Sequence, residues 1–581
     1  MRARTALRVL AIILLALCCA SAIKVLFGPW FREIDTYGFH DWDTAASYRI
    51  ETVWALRQGA FPFWDPFLCG GFPAWGYAEG TPNLISPFLP AYLALPLPLA
   101  LRIEGVGATL IALAGAYGFA SCHARSVALR GLVAVLFALN GRWALQIAVG
   151  HAWHLAYAWM PFVLWAYERS LQGRRPQATI AGAALLALIG YLGGIYPLPH
   201  TALALVVYAL GRAVAARDTL PLRRAALLAA LGVGFFAPKL VPVLFTMARF
   251  PRWIDSVEAI GLADLWVMLT ARSQGVSAKL LPGLPYGWHE WGIYLGWLGV
   301  AALSLSLLAL ISPRGRALLA PALLLFVLGF GATSALAPWA LLHELPPFRA
   351  QHVPSRFFFP AVLLLATAAA HGLGRLVDGL LARRQGFDLA ATFVVGWLAL
   401  DLASVGARAS DRAFHLHAPA VAPTEFHHAD RPRLRYVPND AWGGAALLSR
   451  EANEGVLRCA GAPEGAEPRG AVADDDPRYR GEAFLLEGAP GTARVVRRAP
   501  NEIDVEASGP GLLVVNMNFD PGWQADGQPA RDQAHALAAT VEPGHHIIHF
   551  RYRPRGLWPG LGLFALALAA AVALGRPRRP A

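Results

Sequence analysis

Apolar runs of roughly 20 residues recur along most of the chain, separated by short polar stretches in which arginine is frequent. The hydrocarbon core of a bilayer is about 30 Å thick and an α-helix rises about 1.5 Å per residue, so each run predicts a transmembrane helix. The first follows Met1–Arg8 and ends at Phe27. The others fall near 104–121, 131–149, 152–170, 177–195, 199–215, 225–246, 293–311, 317–335, 357–380, 388–405 and 557–575. The first run is long for a signal-peptide core and no A-x-A-like site closes it, which makes it an uncleaved span. Arg-rich loops stay on the cytoplasmic side of a membrane. Arg174 with Arg175, Arg223 with Arg224, Arg314 with Arg316, Arg383 with Arg384, and the tail Arg576, Arg578 and Arg579 mark that side. Each interval between markers must then hold an even number of crossings, which gives about 12 spans with both termini inside. The stretch 82–100 is apolar but carries Pro82, Pro87, Pro90, Pro96 and Pro98. Prolines interrupt helix hydrogen bonding, so this stretch is expected to be interfacial or re-entrant.

Three regions are left outside the cytoplasm: 28–103, 247–292 with 336–356, and 406–556. In the last, the pattern changes from long apolar runs to period-two alternation at Asn501–Ala507, Gly511–Asn518 and His545–Tyr552, bounded by Asn, Gly and Pro. That pattern predicts antiparallel strands and a small β-sandwich ahead of the final span. The expected architecture is a polytopic α-helical membrane domain over 1–405, a β-rich extracytoplasmic domain over 406–556, and a terminal helix with a cytoplasmic tail over 557–581.

Composition agrees with a bilayer protein: of 581 residues, 56% are hydrophobic and 15% charged, with mean hydropathy +0.43. The net charge of +12 would suit nucleic acid, but the basic residues sit in small groups between apolar runs, so no nucleic-acid partner is expected. Five cysteines are too few for a disulfide scaffold, and Cys18, Cys19 and Cys122 lie in or beside apolar runs. Cys69 and Cys459 both fall outside the cytoplasm, where a bridge between them is allowed.

Candidate chemistry concentrates in the first external loop, which is dense in aromatics, prolines and acids from Phe39 to Pro87. A loop this long is rarely a plain connector. Asp41 and Asp43 follow the first span closely, where a carboxylate can take a proton from a hydroxyl or orient it beside a lipid head group. The competing account is helix capping, with one of the acids at the N-terminus of a juxtamembrane helix starting near Thr44. His151 and His154, three apart after Gly150, share a helix face and suit a metal or phosphate, with packing the alternative for His154. Arg356 opens a span at the outer face, where it can meet an anion or simply snorkel. Arg349, His352, Arg249 and Arg252 are placed similarly. His415, His417, His427 and His428 lack metal-ligand spacing and read as solvated surface, and Pro521-Gly522-Trp523 reads as a turn with a buried Trp.

An acid-bearing first loop on a many-span chain resembles the GT-C superfamily of membrane glycosyltransferases. More specifically, the chain is similar to the bacterial YfhO-like membrane proteins. The resemblance rests on Asp41-Trp42-Asp43; Gly59 to Pro62 with Trp64-Asp65-Pro66; Gly70-Gly71; Gly150-His151; Leu345-Pro346-Pro347-Phe348; and Pro354-Ser355-Arg356-Phe357. Towards the C-terminus it rests on Asp520-Pro521-Gly522-Trp523, Asp526-Gly527, Pro543-Gly544-His545 and Phe550-Arg551-Tyr552-Arg553-Pro554. Phe519-Asp520 departs from the aromatic residues the family tends to place before Pro-Gly-Trp, and Asp65 stands where Asn is common. The resemblance implies transfer of a sugar from a polyprenyl-phosphate donor to an extracytoplasmic glycan, lipid or protein acceptor, in the bacterial cytoplasmic (inner) membrane. Asp41 or Asp43 would serve as base or orienting group, and Arg356, His151, Arg349, His352 and Glu79 would bind substrate and its phosphate. Some relatives use a divalent cation such as Mg or Mn and others do not; here Asp41 and Asp43 are the candidates to hold one. A lipid-linked glycan transporter and a non-catalytic scaffold for the β-rich domain are the alternatives, although repeated halves and mid-span charges, which mark transporters, are not evident.

Overall fold

The computed structural model describes residues 2–172, 176–276, 283–383, 386–436, 445–459, 470–486 and 491–576. The markers Arg174, Arg175, Arg384, Arg578 and Arg579 lie outside them. Among the described residues, nine helices are long and apolar enough to cross a membrane: Thr5–Phe31, Leu97–Ala120, Val127–Ala148, Pro197–Ala216, Leu220–Arg249, Trp288–Ile311, Pro354–Val377, Phe387–Ser410 and Leu557–Gly575. The other three expected spans also fall on helices, but shorter ones. Residues 152–170 form a 3₁₀ stretch, Ala152–Trp159, that runs into the helix Met160–Leu171. Pro176–Tyr191 stops at Leu192-Gly193-Gly194 and Pro313–Leu328 stops at Gly329-Phe330-Gly331, where the loop backbone is covered by protein. The proline-rich stretch forms turns and the short helix Leu89–Ala94 before the next span begins at Leu97.

Val127–Ala148 and Pro354–Val377 are almost wholly buried and form the centre of the bundle. The helix Arg2–Phe27 packs along Phe387–Ser410, and Leu557–Gly575 packs along Leu220–Arg249 at the periphery. The central span is broken at Asn140, whose side chain accepts from Trp143 N while donating back to Leu136 O and Phe137 O. A fully satisfied buried amide thus starts a new helix, Gly141–Ala148, that carries Gln146 to the outer face.

The β-sandwich occupies Ala483–Tyr552 rather than the whole of 406–556. One sheet runs Gln528–Pro529, Trp523–Ala525, His545–Tyr552, Glu502–Ser508, Thr492–Ala499; the other runs Arg531–Gln533, Ala536–Val541, Gly511–Asn518, Ala483–Leu486. All pairings are antiparallel. The alternating apolar positions meet in one core, with Ile503, Val505, Leu513, Val515, Leu537 and Phe550 inside. Trp523 is buried there as expected, 5.2 Å from the ring of Trp64, which the first external loop inserts into the same core.

Residues 411–436 and 445–459 instead weave into the first loop. Phe414–Leu416 pairs with Tyr37–Gly38, Val456 N donates to Phe67 O at 2.8 Å, Gly70 N donates to Val456 O at 3.0 Å, and Cys69 and Cys459 are bridged. Arg450 docks there too, its Nη2 2.6 Å from Glu51 Oε2 and its Nη1 3.9 Å from Asp65 Oδ1. This segment forms a roof over one end of the bundle. The His tract dissolves into separate pairs: His417 meets Glu33, His427 meets Glu454 and His428 meets Glu482.

Candidate active site

Under the roof lies a cavity of about 410 Å³ whose walls include Asp41, Glu79, His151, His352, Arg252 and Arg356. These residues come from five separate stretches of sequence. Asp41 stands at the N-terminus of the helix Trp42–Arg57, yet its side chain caps no backbone N–H of that helix. Instead its Oδ2 lies 2.9 Å from His151 Nε2 and its Oδ1 3.2 Å from His40 Nδ1. Burial works to raise its pKa, but the two histidines outweigh it and hold the carboxyl well below the usual carboxylate range. The side chain is 47% exposed, towards the cavity. Gly150 makes the approach possible: it has φ +83° and a Cβ there would fall 2.1 Å from Trp42 N.

His151 continues the network. Its Nδ1 lies 2.9 Å from Gln146 Oε1 and 3.8 Å from Glu290 Oε1. Glu290 is buried and takes Arg356 in a two-pronged ion pair, Nε donating to Oε2 at 3.0 Å and Nη2 to Oε1. The Arg356 guanidinium also lies over the rings of Tyr196, at 4.0 Å, and Trp153, at 4.8 Å. Behind this pair, buried Arg142 donates from Nη2 to Glu290 O, Trp291 O and Ser355 Oγ, so one guanidinium fixes the turns that carry both partners. His352 faces Glu258, with Nδ1 to Oε1 at 3.7 Å, and burial lowers its pKa.

Glu79 sits on a loop held from behind. Lys239 Nζ, buried within a span, donates to Gly80 O and lies 5.4 Å from the centroid of the Trp75 ring. Gly193 takes φ +75° against the Glu79 backbone, where a Cβ would approach Glu79 Cα to 3.3 Å. Burial pushes the Glu79 carboxyl up to about 7, with Arg252 pulling the other way.

Three expected residues stand apart. Asp43 points away from the cavity: its oxygens accept from Ala446 N at 2.8 Å, Leu447 N at 3.3 Å and Tyr436 OH at 3.3 Å. It holds the start of the roof helix Ala446–Glu451, and burial pushes it up to about 6. Asp41 and Asp43 therefore form no common metal site. Arg349 stacks over Trp253 at 5.0 Å and does not line the cavity, and Arg249 ties the bundle to the sandwich through Asp520 at 3.3 Å. Among the described residues, the metal-capable group is His151, His289 and Glu290, whose donor atoms lie within 4.8 Å of one another. Imidazole and carboxylate donors fit a transition-metal dication, although Arg356 already engages both oxygens of Glu290.

A second cavity of about 310 Å³ adjoins the first, sharing Tyr77, Ile195 and Arg252. Its walls are mainly apolar, with Leu198, Phe236, Leu240, Val243, Met247 and Phe250 among them. Glu290, Trp153 and Tyr196 were not singled out in the sequence. Glu290 lies in Trp288-His289-Glu290-Trp291 at the head of an apolar run, and a charge at that depth was the available signal.

No family model matches the chain, and no curated protein matches it. Among solved structures, the chain is similar to arabinofuranosyltransferase AftD from Mycobacteria, with TM-score 0.47 and 19% identity over 76% of this chain and 31% of that one. It is also similar to the oligosaccharyltransferase AglB from Archaeoglobus fulgidus, solved with an inhibitory peptide and a dolichol-phosphate. There the TM-score is 0.42 and identity 12%, over 78% of this chain and 65% of that one. The chain thus spans about a third of the first protein and about two thirds of the second.

Proposed function

We propose that this multi-pass membrane protein is a GT-C-type, YfhO-like glycosyltransferase that moves a sugar from a polyprenyl-phosphate donor to an extracytoplasmic glycan, lipid or protein acceptor. The observation that carries the reading is the pairing of two cavities: a polar one with Asp41, Glu79 and several cations, sharing Tyr77, Ile195 and Arg252 with an adjoining apolar one. A polyprenyl chain suits the apolar cavity. Its phosphate would meet Arg252, with Arg356 and His352 beyond, and the sugar would face Asp41. Cations fixed around the departing phosphate stabilise the charge that develops as the glycosidic bond breaks, and direct displacement by the acceptor hydroxyl inverts the anomeric centre. Asp41, kept ionised by His40 and His151, serves as the base or as the group that orients the acceptor hydroxyl or the sugar.

In this reading the cavity faces away from the cytoplasm of a bacterial inner membrane, with both termini inside. The Cys69–Cys459 bridge supports that orientation, since disulfides persist in oxidising compartments. The test is transfer in proteoliposomes, using a panel of radiolabelled undecaprenyl-phosphate pentoses and hexoses with octyl glycosides as acceptors. Wild type transfers from at least one donor, and Asp41→Asn loses transfer while keeping its thermal midpoint. An Asp41→Asn variant with wild-type transfer sinks the proposed site.

A further inference from the structure

Three carboxylates line the polar cavity, and they differ in what already occupies them. Both oxygens of Asp41 are engaged by His151 and His40. Both oxygens of Glu290 are engaged by Arg356, and Gln146 Nε2 donates to one of them at 3.3 Å. Glu79 has no hydrogen bond and no ion pair within 4 Å among the described residues, and it projects from a loop fixed by Lys239 and Gly193. A carboxylate oxygen that already accepts a hydrogen bond keeps a second lone pair but is a weaker base, so the least engaged carboxylate on a rigid mount is the better proton acceptor.

We infer that Glu79 is the catalytic base that takes the proton from the acceptor hydroxyl, leaving Asp41 to orient the reactants; the inference rests on the transferase reading above. In the step it performs, the acceptor oxygen bonds to the anomeric carbon and the hydroxyl proton passes to a Glu79 carboxylate oxygen. The bond from the anomeric carbon to the phosphate oxygen breaks, its electron pair leaving on the polyprenyl phosphate. The charged and titratable groups around Glu79 are Arg252, Asp41, His151 and Arg356 across the cavity, Lys239 behind the loop, and Tyr77 and Tyr48 beside it. Burial dominates their combined effect and places the carboxyl near neutrality, at about 7. That is where a base works best at physiological pH.

The experiment measures transfer against pH for the full-length protein in proteoliposomes, with undecaprenyl-phosphate binding measured in parallel. Wild-type kcat rises with pH and levels off above about 7. Glu79→Gln lowers kcat by about 10²–10⁴-fold, the usual worth of a general base, and abolishes the rising limb, with undecaprenyl-phosphate affinity unchanged. Glu79→Asp restores a measurable part of the rate and the pH dependence, which a packing role would not. Glu79→Gln within about fivefold of wild type, or with the same pH limb, overturns the inference while the transferase reading stands. A folded wild type inactive on every donor overturns that reading, and this assignment falls with it.

Discussion

Replacing Asp43 by Ala removes the carboxylate that accepts from Ala446 N, Leu447 N and Tyr436 OH and so holds the roof helix to the first loop. Hydrogen bonds to a charged acceptor are worth about 1.5–3 kcal/mol each. Burial outweighs these bonds and leaves the carboxyl raised from 3.8 to about 6. Leaving a buried donor without its acceptor costs about 1–3 kcal/mol, which loosens docking of the roof by roughly 5- to 150-fold in equilibrium. Amide hydrogen exchange reads this directly, as lost protection at Ala446, Leu447 and the strand Glu454–Val456, while amides of the central helix Val127–Ala138 stay protected. Because the folded pKa lies above the unfolded one, the contribution of Asp43 is fully present below about pH 4 and is lost as pH rises through about 6. Wild-type protection of the roof, corrected for intrinsic exchange, should therefore fall across that window, and Asp43→Ala should show no such fall. Asp41→Ala is the control: transfer lost, roof exchange unchanged. Unaltered exchange at Ala446 and Leu447 in Asp43→Ala would refute the assignment of Asp43 to the roof.

Arg450→Met strips the partner from Glu51 and Asp65, two buried carboxyls whose pKa values burial already raises. Breaking such a cluster from one side typically costs about 3–5 kcal/mol. Raised folded pKa values mean stability is lost as pH increases, so the drop in thermal midpoint should be larger at pH 8 than at pH 5.5, and an equal drop at both would contradict the cluster. Cys459→Ser opens a bridge between positions 390 residues apart and should lower stability by about 2–5 kcal/mol. It should also abolish the mobility difference between reduced and non-reduced gels; wild type without that difference would show the bridge absent.

How much of this was legible follows from the range of each signal. Spans and strands are local patterns: a run of apolar residues must enter lipid, and an alternating run must present one face to a core, so nine of the 12 expected spans and the sandwich strands fell where periodicity put them among the described residues. What shortened two of the helices was equally local, glycines at their ends, but Gly193 takes its meaning from the cavity it borders, against Glu79. Glu290 had no local signal beyond its depth, because its partner Arg356 is 66 residues away. The extent of the roof was hidden for the same reason, since its anchors join Cys459 to Cys69 and Arg450 to Glu51.

The pair Asp41 and Asp43 shows where local reasoning could have gone further. Successive residues on a helix turn by about 100°, so two acids two apart at a helix start point to nearly opposite sides and cannot share one substrate or one metal. Treating them as interchangeable candidates ignored that geometry. What the spacing leaves open is which side meets the cavity. That is decided by contacts across 110 residues to His151 and across 403 to Ala446. The two acids thus divide one motif between tasks: Asp41 turns inward to His40 and His151, while Asp43 turns outward to hold the roof. Mutating either would reduce transfer, so activity alone cannot tell them apart. Only a measurement of roof docking separates loss of chemistry from loss of cover, and a functional first-loop acid should be assigned by what its oxygens touch rather than by its place in the motif.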